Sequence, residues 1–537
     1  MRLKSRILIL LAGFYAAASA QNTLLIEAGN SDIDTEIFTF PYKLKHTSFR
    51  PYNFEQIDTA RYNKYYRSLQ IRTKRNLTDF LLNKPLFRRK GKGWYFRVDP
   101  VLRVEGGGTG KRQTFINTRG VRVEGSIGKQ TAFGTEIVEN QARFPAFLDT
   151  LFRTKETGNG FPAVIPYTGI AKNYRNRIYD FPLVTGQFTY RPSRYFLFSV
   201  GHGRPFIGEG YRSLLLGNQV PPYPYFRIES NFWHLRYIVM WSAIQDVRAA
   251  VVHNGTYYQK FMALHYLDWA VTTKWNLGLF ESVIWDPALG NGFDVNFINP
   301  VIFFKTVELQ RGTKTANTMI GFHNSVITDD HMTVYGQFLL DEMTVSKFFG
   351  DKGYWGNKYG IQIGIKFARF FGDHYLFLRS EYNIVRPYTY SHHITTINDG
   401  HDNWPLAHPW GANLKEYLVQ AKWRYKRWFA SFTGDAGEQG LDFPGNPKTF
   451  GADIYRDYQD RIADENIKTL QGNLYNREYL SVEGGWTINP VYHLSVFGFF
   501  RHWRHRIQQA YGPYQNGVTN WIGIGLRTNI FTPDFNL

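Results

Sequence analysis

Hydrophobic and polar side chains alternate in segments of about ten residues from Trp94 to the C-terminus. In residues 416–425, for example, one face is apolar or aromatic, and the other carries Glu416, Gln420, Lys422 and Arg424. Strands of ~9–11 residues cross a membrane with apolar side chains toward lipid and polar ones tolerated toward the lumen. Strands of soluble proteins alternate too, but these apolar faces often end in Trp, Tyr or Phe, as aromatic girdles do. The pattern predicts an all-β, transmembrane antiparallel β-barrel, with a secreted soluble β-rich protein as the alternative.

The connectors between these segments are alternately very short and long. We predict about 18 strands, with 16–18 as the range, and the long connectors on one side of the membrane. An even number of strands would put both termini in the periplasm. The predicted strands begin near residues 94, 118, 132, 183, 195, 231, 247, 261, 274, 318, 332, 356, 374, 414, 428, 478, 492 and 517. The predicted long loops are 141–182, 202–230, 286–317, 341–355, 386–413, 437–477 and 504–516.

The first residues of the chain have the order of a secretory signal. Three basic residues precede an apolar stretch at 7–17, and Ala18, Ser19 and Ala20 form a small-residue cleavage site. We therefore expect residues 1–20 to be a signal peptide, cleaved before Gln21. The chain has no Cys, which excludes disulfides, thiolate metal sites and a lipidated N-terminal Cys. No later stretch is long and apolar enough for a transmembrane helix, and the predicted location is the outer membrane of a Gram-negative bacterium.

Basic residues exceed acidic ones, and the excess is largest near the N-terminus. The formal net charge is +19, and +16 remains after the three cations of the leader are removed. Residues 61–92 contain eleven Lys or Arg and one acid, Asp79. We predict that residues 21–93 form a basic, partly helical periplasmic segment and that residues 94–537 form the barrel. The cations of the segment are either a solvated helical face or a contact with anionic lipid or an acidic protein, for which the candidates are Arg72, Lys74, Arg75, Arg88, Arg89 and Lys90.

Three stretches could bind a surface glycan. Residues 501–506 (RHWRHR) could grip phosphate or carboxylate through forked guanidinium groups, and residues 220–227 and 401–410 combine stiffening prolines with flat aromatic rings. The alternatives are an ordinary polar loop beside the girdle, a loop that constricts the lumen, and a rigid packed loop. The candidate ligand-binding residues are Arg501, Trp503, Arg504, Arg506, Tyr223, Tyr225, Trp404 and Trp410.

Sequence features typical of an enzyme are weak. Asp329, Asp330 and His331 lie in a short turn without a nucleophile motif, and Asp341 and Glu342 end a strand where charged rim residues are usual. The spacing of His401 and His408 matches no specific metal site. We therefore predict no catalytic residues, no metal and no cofactor.

Several stretches together resemble the capsule-assembly Wzi family and, more closely, the RemB-like outer-membrane proteins linked to gliding motility in Bacteroidetes. They are HTSFRPY (46–52), GRPFIGEGYRSLLLGN (203–218), INPVIFFKTVE (298–308), VYGQFLLDE (334–342), GYWGNKYGIQIG (353–364) and PLAHPWGANLKEY (405–417). The resemblance implies an outer-membrane barrel of about 18 strands with an N-terminal periplasmic helical part. It further implies a surface lectin for capsular polysaccharide in the first branch, and motility, adhesion or polysaccharide handling in the second.

Three functions follow as hypotheses. The first is a non-enzymatic barrel that binds or organises anionic surface polysaccharide and supports gliding motility. The second is an accessory subunit of a multi-protein secretion or motility complex of the envelope, and the third is a porin-like channel, since eighteen strands can enclose water. The expected partners are the bilayer, lipopolysaccharide, anionic capsular polysaccharide and other envelope proteins, and nucleic acid is excluded by the compartment.

Overall fold

Eighteen antiparallel strands close into a barrel in the computed structural model of the chain. The structure describes residues 25–26, 46–53, 56, 59–110, 112–175, 177–289, 294–301, 303–311, 315–343, 345–348, 352–528 and 535–537. The predicted signal peptide lies outside the described residues. Strands β1–β18 are Trp94–Thr109, Arg112–Ile127, Thr131–Arg143, Ile178–Tyr190, Phe196–Gly203, Tyr223–Phe232, Leu235–Asp246, Tyr258–Ala270, Trp275–Trp285, Ala316–Asp329, Met332–Glu342, Lys358–Phe371, His374–Val385, Leu414–Tyr425, Trp428–Leu441, Asn473–Asn489, Leu494–Ile507 and Gly517–Thr528. The predicted fold class and the predicted number of strands are confirmed.

Each strand pairs with its neighbours in sequence, and β18 pairs with β1 through the register Ile522↔Gly108 to Arg527↔Arg103. Outward positions at mid-strand are apolar and open, since Ile363 is 60% and Ile524 is 74% exposed. Closure leaves no unpaired strand edge, which a membrane-spanning sheet requires. The largest hydrophobic cluster therefore lies in the lumen.

The two ends of the barrel differ in the length of their connections. Eight connections of two to five residues form the short-turn end, and the long-loop end carries all the others, the longest of which are 144–177, 286–315, 386–413 and 442–472. Exposed aromatic side chains mark the short-turn end, as expected at a membrane interface. They include Trp94, Phe196, Trp233, Trp269, Trp275, Phe371 and Trp428.

The structure corrects two predicted strands. We expected strands from residues 231 and 247 with a short turn at 244–246, whereas β6 begins at Tyr223, β7 begins at Leu235, and the turn between them is Trp233–His234. The prolines at 221, 222 and 224 suggested a loop, but Pro224 is tolerated inside β6, opposite His202 at the end of β5. Residues 504–506, expected at the start of the loop 504–516, lie with residues 501–503 within β17.

The structure also contains helices and short strands outside the eighteen barrel strands. Helices α1–α5 are Thr59–Ser68, Asn76–Asn83, Ala146–Arg153, Phe304–Arg311 and Val345–Phe348, and single turns of 3-10 helix cover Val295–Ile298, Thr395–Ile397 and Tyr458–Asp460. Short strands are Leu25–Ile26 with Tyr52–Asn53, Phe49–Arg50 with Phe206–Ile207, and Gly400–His401 with Trp404–Pro405. Phe87–Gly91 pairs with β1, Gly169–Arg175 pairs with β4, and Ala163–Ile165 pairs with Gly169–Arg175. None of the helices in the described residues is long and apolar enough to cross a membrane.

Helices α1 and α2 lie at the short-turn end. The Arg427 guanidinium, in the β14–β15 turn, donates to the carbonyl of Leu69 at 2.7 Å and to the Asn83 side chain at 2.9 Å. Asn489, at the end of β16, donates to the carbonyls of Leu81 and Lys84, both at 2.9 Å. The barrel turns therefore hold the backbone of this segment by hydrogen bonds, which leaves its charged side chains available.

Candidate functional site

The lumen is filled by the chain itself, chiefly by residues 204–222, which we call the plug. Every residue of the plug is buried, although it connects two strands at the long-loop end. Such a segment can be buried only if its backbone polar groups find partners. The inward polar side chains of the wall supply them.

Arg212 anchors the plug to the wall. Its guanidinium donates to Glu416 of β14 at 2.8 and 2.9 Å and lies 3.6 Å from Asp435 of β15, and all three side chains are fully buried. Glu381 of β13 accepts the backbone N–H groups of Tyr211 at 2.8 Å and of Arg212 at 3.1 Å. The plug thus lies where three strands present carboxylates to one cation and to two amides.

Further wall residues fix the rest of the plug. The Lys366 ammonium of β12 contacts the Glu209 carboxylate at 2.5 Å. The Gln337 side chain of β11 donates to the Ile207 carbonyl and accepts from the Leu214 amide, both at 2.8 Å. These contacts come from the five adjacent strands β11 to β15, so that one sector of the wall holds the plug in position.

Three other segments enter the same space. Residues 46–53 pair with the plug, and the Arg50 guanidinium donates to the carbonyls of Gly208 at 3.2 Å and Gly210 at 2.9 Å. The C-terminal tail, residues 535–537, returns to the lumen, where the Asn536 carbonyl accepts from Arg212 at 3.0 Å. The lumen of the described structure is therefore crowded by four pieces of chain, the last of which is the connection 386–413.

The connection 386–413 carries buried ionisable groups. His408 Nε2 lies 2.9 Å from the Glu416 carboxylate, and burial lowers the pKa of His408. Burial also raises the pKa of Asp399 to about 7, an effect that nearby Lys260 partly opposes. The Asp399 backbone accepts from Leu406 at 3.0 Å. The segment thus includes a carboxyl whose charge is costly at neutral pH.

Most of the predicted glycan residues face this packed interior. Trp404 is 4% exposed and donates to the Val164 carbonyl at 3.0 Å, and the Arg477 guanidinium lies 3.4 Å from the ring centre of Trp410. Tyr223 packs edge-on against His401 with ring centres 5.5 Å apart. Tyr225, Arg501 and Trp503 are also buried.

Arg504 and Arg506 differ from Arg501. They point away from the lumen on β17, because alternate residues of a strand face opposite sides. Arg504 Nη1 lies 3.8 Å from Glu478 of β16, and both side chains are about half exposed. The six-residue motif is thus divided between the lumen and the outer surface near the long-loop end.

The predicted partner-contact residues stay exposed together. Arg72, Lys74, Arg75, Arg88, Arg89 and Lys90 are all exposed at the short-turn end. Residues 59–93 and the eight short connections together contain 17 Lys or Arg and 3 Asp or Glu. The connections at the long-loop end contain 19 Lys or Arg and 15 Asp or Glu. The strongly basic surface is therefore at the short-turn end.

A surface cluster that the sequence did not predict lies where three long connections meet. We call Tyr354, Trp355, His393, Tyr458 and Arg461 the loop-end patch. The rings of Trp355 and Tyr458 are 4.9 Å apart, and the Arg461 guanidinium lies 4.2 Å from the centre of the Trp355 ring. Tyr354, His393, Tyr458 and Arg461 remain partly exposed. The Tyr-Trp pair within residues 353–364 was the available signal, but its partners are 39 residues (His393) and more than 100 residues (Tyr458 and Arg461) away in sequence.

Solved structures share this architecture. The chain is similar to Wzi of Escherichia coli, described as an outer membrane protein involved in group 1 capsule assembly and a carbohydrate-binding β-barrel, with 13% identity and a TM-score of 0.54 over 94% of this chain and 99% of that one. OprD of Pseudomonas aeruginosa matches with 10% identity and a TM-score of 0.40, over 80% of this chain and 94% of that one. OccAB4 of Acinetobacter baumannii matches with 8% identity and a TM-score of 0.40, over 81% of this chain and 97% of that one. No protein-family model and no curated protein sequence matches. The likeness to Wzi supports the fold, while the outer-membrane location and the RemB-like resemblance stay predictions.

Proposed function

We propose that this protein is a non-enzymatic outer-membrane barrel that binds or organises surface polysaccharide of acidic character. The observation that carries the proposal is the filled lumen, because a barrel whose interior is occupied by its own bonded chain offers its outer end to ligands. The similarity in fold to a carbohydrate-binding barrel supports the same function. In this proposal the long-loop end faces the cell exterior, and both termini lie on the periplasmic side.

The loop-end patch is the proposed contact. Two aromatic rings inclined at 39° lie beside the Arg461 guanidinium, which also pairs with Asp464 at 2.6 Å, and together they offer apolar faces and a charged group at one place. The charge at the long-loop end is nearly balanced, and so recognition depends on this geometry and not on a general positive field. Arg504 and Arg506, on the outer wall near this end, supply further cations.

A binding assay tests the proposal. Full-length protein in detergent is titrated with an acidic capsular polysaccharide and with a neutral one of matched length. We expect saturable binding of the acidic glycan, lost in Tyr458→Ala/Arg461→Ala and retained in Arg88→Ala/Arg89→Ala at the other end. Undiminished binding by the patch variant, with its fold intact, would contradict the assignment of the patch.

The basic short-turn end favours a second candidate, an accessory subunit of an envelope complex for secretion or motility. Seventeen cations against three acids form a surface suited to an acidic partner protein. Crosslinking in the native membrane followed by mass spectrometry tests this candidate. Stoichiometric partners crosslinked to residues 72–90 would support it, and a protein recovered alone would argue against it.

The third candidate, a porin-like channel, depends on an open lumen. Conductance in planar bilayers distinguishes it from the first two. We expect no steady conductance from the intact chain, because the plug, the connection 386–413 and the tail occupy the interior.

A further inference from the structure

One sector of the outer wall is covered, unlike the rest of the barrel. On β8 the inward residues Lys260 and Tyr266 contact segments in the lumen, so that the alternate residues Ala263 and His265 face outward. Yet Ala263 is 0% and His265 is 7% exposed. A segment of chain must therefore lie against the outside of the wall.

That segment comprises residues 294–301 and 303–311, which we call the outer flap. Phe297 and Phe304 are buried against the wall, with the Phe297 ring 5.2 Å from that of Trp285 and the Phe304 ring stacked 4.1 Å from His265. The Trp241 indole donates to the Phe297 carbonyl at 3.0 Å. The flap includes residues 298–308, one of the stretches behind the family resemblance.

The flap extends far down the barrel. It belongs to the connection between β9 and β10 at the long-loop end, yet the Tyr237 hydroxyl donates to the Pro300 carbonyl at 2.6 Å. Tyr237 is the third residue of β7, which begins at the short-turn end. The flap thus runs beside most of the height that spans the membrane.

The covered wall is polar where a lipid-facing wall is apolar. Glu281 lies on the outward face of β9, opposite His265, and accepts the Lys305 amide at 2.9 Å. Glu308 of α4 bonds the outward Thr318 of β10 and lies 2.9 Å from the Lys305 ammonium. Ionisable side chains facing lipid are costly, and the flap removes these from the lipid.

The other side of the flap is open and largely apolar. Its large exposed hydrophobic side chains are Val295 at 70%, Ile298 at 38%, Val301 at 85% and Phe303 at 50%, and the polar Asn299, Thr306 and Gln310 are exposed as well. They continue the apolar band of the neighbouring strands, where Leu279 is 52% and Phe322 is 44% exposed. Continuity with that band identifies the occupant of this face.

We infer that the outer flap is embedded in the membrane and that Val295, Ile298, Val301 and Phe303 contact lipid acyl chains. The flap replaces bare wall over one sector and allows Glu281 and His265 to remain on the outside of a barrel. Irregular backbone at this depth is tolerated because wall side chains bond it and α4 bonds internally. A second protein seated on this face is the alternative that the experiment must separate.

Site-directed spin labelling tests the inference, since the chain has no native Cys. Full-length Val301→Cys and Val295→Cys are labelled and reconstituted in phospholipid vesicles, and collision rates with oxygen and with a water-soluble nickel chelate are measured. Leu279→Cys is the lipid-facing control, and Gln459→Cys on a long connection is the aqueous control. We expect the oxygen-to-nickel ratio at 301 and 295 to match that at 279 and to exceed that at 459 several-fold.

Two other results would overturn the inference. A ratio like that at Gln459→Cys would place the flap in water. An immobilised label with low access to both reagents would mean that protein covers the face. Heat-induced unfolding of each labelled variant, followed on gels, confirms that the barrel is folded in every sample.

Discussion

The plug and the basic N-terminal segment use charge in opposite ways. Arg212 in the plug is fully buried between Glu416 and Asp435, whereas in residues 71–92 the cations are exposed and Lys84 alone is in an ion pair with the single acid, Asp79, at 2.7 Å. Buried charges must be paired, because the free-energy cost of removing them from water is not otherwise offset. Exposed charges, in contrast, stay available to a partner. The comparison teaches that the excess of positive charge and the most specific charge contacts lie in different parts of this molecule.

The largest effect is expected from removing the anchor of the plug. Arg212→Met leaves the Glu416 and Asp435 carboxylates buried without their cation, which we expect to cost about 3–5 kcal/mol of stability. Urea unfolding in detergent measures the loss. The matched control is Lys347→Met, which breaks an exposed pair with Glu465 and should cost less than about 1 kcal/mol. Equal losses of stability from the two substitutions would contradict the view that the buried ion pairs of the plug matter more for stability than exposed ion pairs.

A smaller and pH-dependent effect is expected at Asp399, beside the plug. Its pKa is raised from 3.8 to about 7 by burial, so the folded state holds the proton more tightly than the unfolded state. At pH values well below 3.8 the carboxyl is protonated in both states and does not reduce stability. As the pH rises, ionisation of the buried carboxyl costs increasing stability, and the full cost is reached above pH 7. Asp399→Asn should raise stability at pH 8 by up to about 4 kcal/mol, given ~1.4 kcal/mol per pKa unit, and change it little at pH 4. Thermal unfolding at both pH values is the measurement, and a gain that does not depend on pH would refute the explanation.

Much of the fold follows from the sequence because alternation is local. The Trp-rich strand ends and the alternation in β14 or β18 can be read within ten residues, and they yield the number of strands correctly. Long-range partners cannot be read in this way, since Arg212 and Glu416 are 204 residues apart. The burial of Tyr223 and Trp404 could not be read from the sequence either, because a short motif does not encode exposure. Their role as glycan contacts stays a prediction.

The outer flap had a local signal. In β9 the outward positions are apolar except for Glu281, which breaks the pattern. A charged residue at a lipid-facing position predicts a covering element, although it does not say which segment provides it. The loop-end patch had only the Tyr354–Trp355 pair as a local signal, since its residues come from three separate connections.

The exposed cations should matter for binding and not for folding. Replacing Arg72, Lys74, Arg75, Arg88, Arg89 and Lys90 with Gln should leave the unfolding temperature nearly unchanged and lower the salt concentration that elutes the protein from heparin resin, because surface charges bind polyanions in a salt-dependent manner. Replacing Arg153, Lys172, Arg175 and Arg177 with Gln, at the long-loop end, is the control and should shift elution less. A large loss of stability in the first variant would mean that these cations hold the segment in place.

The smallest effect is expected for Arg504. Its exposure is intermediate between that of the buried Arg212 and that of the exposed cations in residues 71–92. Its partner Glu478 is 3.8 Å away and both side chains are about half exposed, so the pair should contribute less than about 1 kcal/mol. A double-mutant cycle of Arg504→Gln and Glu478→Gln, measured by urea unfolding, isolates this coupling. A coupling energy near zero, together with loss of acidic-glycan binding in Arg504→Gln, would show that Arg504 serves ligand binding and not stability, like the exposed cations of the N-terminal segment. A coupling of several kcal/mol would instead show that the outer surface near the long-loop end uses its charges for structure, as the plug does.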